Sequence, residues 1–341
     1  MTEKVSRDDW QKLYAAADDF KKSKCWEWMY DDDVFGVKDP ASGEIAYCCI
    51  MGNAGENYGI AAYLGDEGFR NLHELLSGAV DPYDSDYMYQ QNSLLCTFDD
   101  RETLASQDLK LIKELGLKYR GRNQWPCFRH LSPGMYPWFL DAAQCRFLTH
   151  ILRQALHVAL RCKQDKGILD HKTPLTYLVR IPATAGDGIA WTDRYLTADI
   201  RSKDYTSYTL NNDIVVKKIN NTKTNKRLVL EAGIFFMPAP VRDKGRPYYP
   251  RVCVLVDHAG GMIVSYEMFK DLANEGYKCI ELLVGFILEN GVKPAQILVA
   301  GDEAYYTFYE ACRQFSIELK KVTRLKFIDE VRHGMAENCM W

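Results

Sequence analysis

Residues 252–257, Val-Cys-Val-Leu-Val-Asp, are the stretch that decides the fold of the carboxyl half of this chain. An apolar run of this kind, closed by a carboxylate, is typical of a strand that is buried on both faces. Working outward, residues 263–266 predict a second strand, and later segments alternate between helical and strand patterns: 277–290, 296–300, 304–314 and 317–322. This succession predicts a mixed α/β sheet with flanking helices.

The amino half also mixes helical and strand patterns. Residues 10–20 space their apolar side chains at helical intervals, residues 45–51 and 58–64 favour strands, and residues 142–162 predict the best-defined helix of the chain. The prolines within residues 123–138 remove backbone donors, so a packed loop is predicted there. A chain of 341 residues with these elements predicts two α+β domains, residues 1–165 and residues 172–335.

Charge and composition argue against several classes of protein. The formal net charge is −3, so the whole surface has no dominant field for nucleic acid or acidic lipid, although a local basic face is compatible with it. No apolar run approaches the roughly 20 residues that span a bilayer, and the amino terminus lacks the apolar segment of a secretory signal. The 11 cysteines include no Cys-x-x-Cys pair, which favours reduced thiols. We therefore predict a cytoplasmic protein that does not bind a membrane.

Two carboxylates follow apolar strands of the carboxyl half. Asp257 comes after the first strand and Asp302 after residues 296–300, and Asp329 or Glu330 is available as a third ligand. Clustered carboxylates at strand ends can hold Mg²⁺ or Mn²⁺ for phosphoryl transfer. The alternative is that Asp257 forms a turn and that Asp302 caps a helix. Apart from such a metal site no cofactor is expected, because glycine-rich phosphate-binding motifs are absent.

The order of these elements resembles that of ribonuclease-H-like nucleases and transposases. That fold has three consecutive strands before its first helix, whereas the carboxyl half predicts only two. The resemblance is one of pattern, and it leaves open whether Asp257 and Asp302 meet.

Two histidine-containing arrangements suggest further chemistry. His258, next to Asp257, is a candidate base or metal ligand, and the structural alternative is a histidine in a turn. Cys127 with His130 is a candidate nucleophile pair, but its setting beside Trp125 favours a buried, inert thiol.

Basic and aromatic residues mark two candidate binding surfaces. Residues 214–219 and 227–236 predict a hairpin with its tip at 220–225, and its cations could contact a nucleic-acid backbone: Lys217, Lys218, Lys223, Lys226 and Arg227. The alternative is that these cations protect a sheet edge from pairing with another chain. Large aromatic residues in the proline-containing stretch could line a ligand groove, or could pack the predicted loop onto its domain: Trp125, Phe128, Tyr136 and Trp138.

Short signatures extend over most of the chain. The amino half contains Phe-Gly-Val at 35–37, Gly-Glu-Ile-Ala-Tyr-Cys at 43–48, Asn-Gln-Trp-Pro-Cys-Phe-Arg at 123–129 and Pro-Gly-Met-Tyr-Pro-Trp at 133–138. The carboxyl half contains Val-Leu-Val-Asp at 254–257, Lys-Pro-Ala-Gln-Ile at 293–297 and Gly-Asp-Glu at 301–303. Together they resemble two adjacent bacterial families of unknown function, and the resemblance implies no established activity.

The sequence supports two hypotheses about function. The first is a non-catalytic binding or adaptor protein with a protein or nucleic-acid partner, because no catalytic constellation reaches the specificity of a true motif. The second is a metal-dependent phosphodiesterase or nuclease-like enzyme that uses Asp257 and Asp302. The distance between these two carboxylates distinguishes the hypotheses.

Overall fold

The structure is a computed structural model that describes residues 3–80, 85–170, 173–185, 188–200, 203–242 and 245–338. The chain forms two compact units, Met1–Pro133 with Pro137–Arg201, and Gly134–Tyr136 with Ser202–Trp341. The first unit therefore continues beyond residue 165, where the sequence placed the end of the first domain. The reason is that the strands within residues 176–197 pair with the first sheet.

An eight-stranded sheet, ordered β6-β5-β4-β3-β2-β1-β7-β8, is the framework of the first unit, apart from the part of β6 that precedes Pro137. Its strands are β1 (Phe35–Lys38), β2 (Ile45–Met51), β3 (Gly59–Leu64), β4 (Ser93–Asp99), β5 (Trp125–Ser132), β6 (Met135–Trp138), β7 (Thr176–Ala185) and β8 (Gly188–Thr197). β1 and β7 run parallel, whereas β1 to β5 pair antiparallel with one another in turn, as do β7 and β8. The middle of the sheet is buried on both faces, since every residue of β3 is buried.

Helices cover both faces of this sheet. They are α1 (Arg7–Ser23), α2 (Gly65–Leu76), α3 (Ser85–Met88), α4 (Ser106–Glu114) and α5 (Ala142–Cys162). The larger core contains the apolar faces of α1 and α5, and the smaller core contains Phe69 and Leu72 of α2. Because successive strand residues point to opposite faces, Cys48 lies in the larger core and Cys49 in the smaller one, as alternation predicts.

The prediction of a loop at residues 123–138 is wrong, because most of this stretch forms β5 and β6. Pro126 is the second residue of β5, and Pro137 lies in β6 at the edge of the sheet. A proline near a strand end or on an edge strand removes few ladder hydrogen bonds. The prolines therefore exclude a helix here without excluding strands.

The second unit contains a five-stranded mixed sheet, ordered β11-β10-β9-β12-β13. Its strands are β9 (Thr224–Phe236), β10 (Arg251–Asp257), β11 (Ile263–Phe269), β12 (Lys293–Ala300) and β13 (Glu318–Val322). β10 is antiparallel to both β9 and β11, whereas β12 is parallel to β9 and to β13. The predicted mixed sheet with flanking helices is confirmed. The prediction of two consecutive strands before a helix is wrong, because three strands, β9, β10 and β11, follow one another before the next helix begins at Leu272.

Helices lie on both faces of the second sheet as well. They are α6 (Asp213–Asn221), α7 (Leu272–Glu275), α8 (Tyr277–Asn290), α9 (Gly301–Phe315) and α10 (Lys326–Asn338). One core packs α6, α8 and α9 against one face, and a second core packs α10 against the other. The predicted strand at 214–219 is therefore a helix. Asn212 caps it, and Val215, Val216 and Ile219 point into the core.

In the described parts of the chain, no helix combines the length and the apolar character needed to span a membrane.

Candidate functional site

The two carboxylates of the predicted metal site lie at different levels of the second sheet. Asp257 is opposite Leu230 on β9, and Leu230 is opposite Ile297 on β12. Asp302 follows the end of β12 at Ala300, three residues after Ile297, and strand geometry makes these three residues an offset of about 10 Å along the sheet. The two carboxylates are separated because β10 runs antiparallel to β9 and β12. The carboxyl end of β10 therefore lies at the opposite end of the sheet from the carboxyl end of β12. The structure does not bring Asp257 and Asp302 together.

Each of these carboxylates has a local partner. Asp257 Oδ2 accepts a hydrogen bond from the Gly260 backbone N–H at 2.8 Å, which closes a turn. Asp302 lies 2.5 Å from the Lys321 ammonium and is half-exposed. It belongs to the first turn of α9 and is not the N-cap residue, a position that Ala300 occupies. The turn alternative thus describes Asp257, whereas the capping alternative does not describe Asp302.

The proposed third ligands lie on α10. Asp329 forms an ion pair with Arg324 at 2.7 Å, and Glu330 lies 4.0 Å from Lys326. Over the described ranges, no group of three or more His, Cys, Asp or Glu side chains is placed to hold a metal ion.

The dispersion of these carboxylates leads to a prediction about Mn²⁺. We expect millimolar Mn²⁺ to leave the thermal unfolding midpoint unchanged in the parent and in the variants Asp257→Asn and Asp302→Asn. A ligand at 100 times its dissociation constant would stabilise the parent by about 2.7 kcal/mol, which thermal unfolding detects easily. A rise in the parent that either substitution removes would instead support a carboxylate metal site.

The Cys127 and His130 side chains have separate surroundings. Cys127 is buried, and this burial raises the pKa of its thiol to about 12, even though the Arg129 charge acts in the opposite direction. His130 Nδ1 lies 2.9 Å from the Gln144 side-chain nitrogen. The thiol is therefore protonated near neutral pH, and a protonated thiol is a poor nucleophile.

The four residues of the predicted aromatic groove are dispersed. Phe128 is a core residue, 4% exposed, with its ring edge-on to Tyr14 at 5.0 Å. Tyr136 is 41% exposed and belongs to the second compact unit. Trp138 packs against Phe139 in the first unit. Trp125 is the member that lines a cavity, which is described below.

The predicted basic residues are all exposed, but they do not lie on a hairpin. Lys217 and Lys218 are in the carboxyl half of α6, Lys223 follows this helix, and Lys226 and Arg227 begin β9. Two residues separate α6 from β9, so these five exposed cations lie within eleven residues of one another along the chain. We call these five residues the basic surface. Asp213 is the one acidic residue between positions 213 and 230.

Glu231 is a buried carboxylate that the sequence analysis missed. Its side chain, on β9, is 1% exposed, and its Oε1 lies 2.8 Å from His258 Nδ1. Its Oε2 accepts hydrogen bonds from the backbone N–H groups of Phe327 and Ile328, in the first turn of α10, at 3.1 and 3.2 Å. His258 is thus a partner of Glu231. A single acid inside an apolar strand was the signal that could have revealed this contact.

The first unit has an open cavity of about 780 Å³. It is lined by Asp100, Arg101, Glu102, Thr103, Tyr119, Arg120, Gly121, Arg122 and Trp125. These residues come from the short segment that follows β4 (100–103), from the segment between α4 and β5, and from the first residue of β5. We call this feature the arginine–aromatic cavity. Among these residues only Trp125 is predicted from the sequence, because the others are dispersed between predicted elements.

The fold and the site define a protein of two α+β units with a basic surface on one and an arginine–aromatic cavity on the other. The chain belongs to the family described as Domain of unknown function (DUF7309), whose model matches residues 10–180, half of the chain. A second model, described as Domain of unknown function (DUF6930), matches residues 215–336. The resemblance to two adjacent families of unknown function is therefore confirmed.

Comparison with other proteins adds little to this assignment. No curated protein matches the chain. A chain in the structure entitled "CryoEM structure of simian T-cell lymphotropic virus intasome in complex with PP2A regulatory subunit B56 gamma" is 17% identical over 35% of this chain, with a TM-score of 0.26. The match spans 43% of that chain. A likeness this small carries no information about function.

Proposed function

We propose that this protein is a non-catalytic binding protein and that the basic surface of its second unit holds a nucleic acid. The observation that carries the proposal is the concentration of five exposed cations, with a single acidic residue between positions 213 and 230, in a chain whose net charge is −3. Cations on a common surface neutralise backbone phosphates and release the counterions condensed on them. The separate positions of Asp257 and Asp302 favour binding over metal-dependent hydrolysis.

The edge-protection alternative accounts for only part of the basic surface. β9 extends beyond the last pair that it forms with β10, Leu230 with Asp257, so Lys226 and Arg227 can protect an open strand edge there. Lys217 and Lys218 lie on a helix, where no strand edge needs protection. Lys217 and Lys218 lie near the carboxyl end of α6, where positive charge stabilises the helix through its dipole. This effect does not explain the three further cations at Lys223, Lys226 and Arg227.

Salt dependence tests this proposal. We expect a labelled single-stranded oligonucleotide to bind the full chain, with log K falling against log salt at a slope of about −3.5 if all five cations contact phosphates. The variant K217A/K218A/K223A should bind more weakly, and its slope should be shallower by about 2. Fluorescence anisotropy across a salt series measures both quantities.

The matched control removes three exposed lysines of the first unit. The variant K12A/K110A/K113A changes the net charge equally and should keep the parent slope. The proposal fails if the oligonucleotide does not bind, or if both triple variants change the slope by the same amount.

A further inference from the structure

The arginine–aromatic cavity has a rim of cations that are available to a ligand. Arg101, Arg120 and Arg122 are exposed, and none of them forms an ion pair with a carboxylate in the described part of the chain. Asp100 and Glu102 line the same cavity, yet they do not neutralise these guanidinium groups directly. Guanidinium groups bind phosphate through two parallel hydrogen bonds, so the rim suits a phosphorylated ligand.

Tyr119 and Trp125 form the aromatic wall of this cavity, and Tyr119 contacts three residues of α1. The hydroxyl of Tyr119 donates to Asp18 Oδ2 at 3.3 Å, and the ring stacks on Tyr14 with centroids 6.3 Å apart. Lys21 Nζ lies 5.0 Å from the Tyr119 ring centre and donates to the Gln124 carbonyl at 2.9 Å. These contacts fix the wall before any ligand arrives, which lowers the entropy lost on binding.

Trp125 completes the wall beside Tyr119. The two ring centroids are 5.8 Å apart, and the Arg101 guanidinium lies 6.0 Å from the Trp125 ring. Indole rings and guanidinium planes both stack on nucleic-acid bases. A planar ring therefore has two kinds of stacking partner within the cavity.

The two carboxylates supply hydrogen-bond acceptors. Asp100 Oδ1 accepts from the Asn123 backbone N–H at 2.8 Å, which fixes the loop that carries Arg120 and Arg122. Glu102 is exposed at the rim and has no such structural role among the described contacts. A carboxylate near a phosphate-binding group is a typical partner of ribose hydroxyls, which are donors.

We propose that the arginine–aromatic cavity binds a ribonucleotide, either free or as one residue of a single strand. Phosphate meets Arg120 and Arg122, the base stacks at Trp125 and Arg101, and the ribose hydroxyls donate to Glu102. The volume of about 780 Å³ lies within the range of small-molecule sites. This site is in the first unit, so it is independent of the nucleic-acid contact proposed for the second.

Calorimetry on the full chain tests the inference with four probes: ADP, 2′-deoxy-ADP, pyrophosphate and a short oligoribonucleotide. We expect ADP to bind more tightly than pyrophosphate or 2′-deoxy-ADP. The variant R120Q/R122Q should weaken ADP binding at least about tenfold, because it removes charge-assisted hydrogen bonds. The control variant R7Q/R153Q, at two exposed arginines of the same unit, should bind ADP like the parent.

The probes also distinguish a free ribonucleotide from one that is part of a single strand. Binding of the oligoribonucleotide but not ADP, lost in R120Q/R122Q and kept in K217A/K218A/K223A, identifies a strand as the ligand. The inference is overturned if neither ADP nor the oligoribonucleotide binds, if R120Q/R122Q binds them like the parent, or if pyrophosphate binds as tightly as ADP. Because the basic surface is itself proposed to bind a strand, the oligoribonucleotide is compared between K217A/K218A/K223A and the same variant carrying R120Q/R122Q, whereas the ADP results do not involve that surface.

Discussion

Replacing Glu231 by alanine is expected to lower the free energy of unfolding of the second unit by about 3 kcal/mol or more. The carboxylate is buried in the middle of the sheet and accepts three hydrogen bonds. Two of the donors are backbone N–H groups in the first turn of α10, which have no partner within their own helix. Removing the acceptor leaves these two backbone groups without their partner, and α10 loses its polar attachment to β9, whereas the half-exposed His258 can bond to water.

The isosteric variant Glu231→Gln separates charge from shape. Glutamine keeps one acceptor oxygen, but it places an amide donor against either His258 or the amino end of α10. We therefore expect a smaller loss than for alanine, and a loss close to zero for Glu318→Ala, which changes an exposed acid on β13.

Two spectroscopic signals assign the loss to one unit. Six of the seven tryptophans, all except Trp341, precede residue 202, so tryptophan fluorescence reports mainly on the first unit. Circular dichroism reports on both units. In urea, Glu231→Ala should lower only the transition that fluorescence does not follow. Equal stability of Glu231→Ala and the parent would show that Glu231 does not hold α10 in place.

Replacing Gly59 by alanine is expected to cost the first unit about 3 kcal/mol, at the upper end of the range for overpacking. Gly59 lies in β3, between β2 and β4. A Cβ atom there would be 2.2 Å from the Cys96 carbonyl oxygen and 2.9 Å from the Thr97 Cα. Both atoms belong to the backbone of β4, so relief of the clash requires the β3–β4 hydrogen bonds to lengthen.

Gly55 provides the control in the same unit. Its φ is +87°, and a Cβ atom would meet nothing within 4 Å, so alanine adds backbone strain of about 1 kcal/mol without a clash. Urea unfolding followed by tryptophan fluorescence should place Gly59→Ala well below Gly55→Ala. If the two variants were equally stable, the close approach of β4 would not determine the cost.

The periodicity of apolar side chains predicted most helices and strands. It failed where tertiary contacts stabilise a different structure from the one that the local pattern favours. Residues 214–216 and Ile219 are β-branched and apolar, which favours a strand, but Asn212 caps a helix there and Ile219 packs into the core. Prolines led to a loop prediction at 123–138, yet Pro126 and Pro137 occupy strand positions that lose little hydrogen bonding. Local composition does not report which neighbours a segment meets.

The candidate sites also differ in how far apart their residues lie in the sequence. The five cations of the basic surface are close in sequence, so their charge pattern alone singles them out as a candidate site. The arginine–aromatic cavity brings Arg101, which follows β4, together with Arg120 and Trp125, which lie just before and at the start of β5. Glu231 meets Phe327 and Ile328 almost one hundred residues later. At such separations the pattern can mark one residue, as the single acid in an apolar strand marks Glu231, but it does not identify the partner.

By itself, the sequence determined the α+β class, the two-part organisation, the buried strand at 252–257 and the concentration of cations between residues 217 and 227. These features depend on the spacing of apolar side chains and on local charge. Both are properties of a segment of sequence and do not depend on which other segments it packs against. The tertiary structure alone decided that Asp257 and Asp302 lie apart, because strand direction is a property of pairing. It also assembled the arginine–aromatic cavity, since only folding brings the end of β4 to the start of β5.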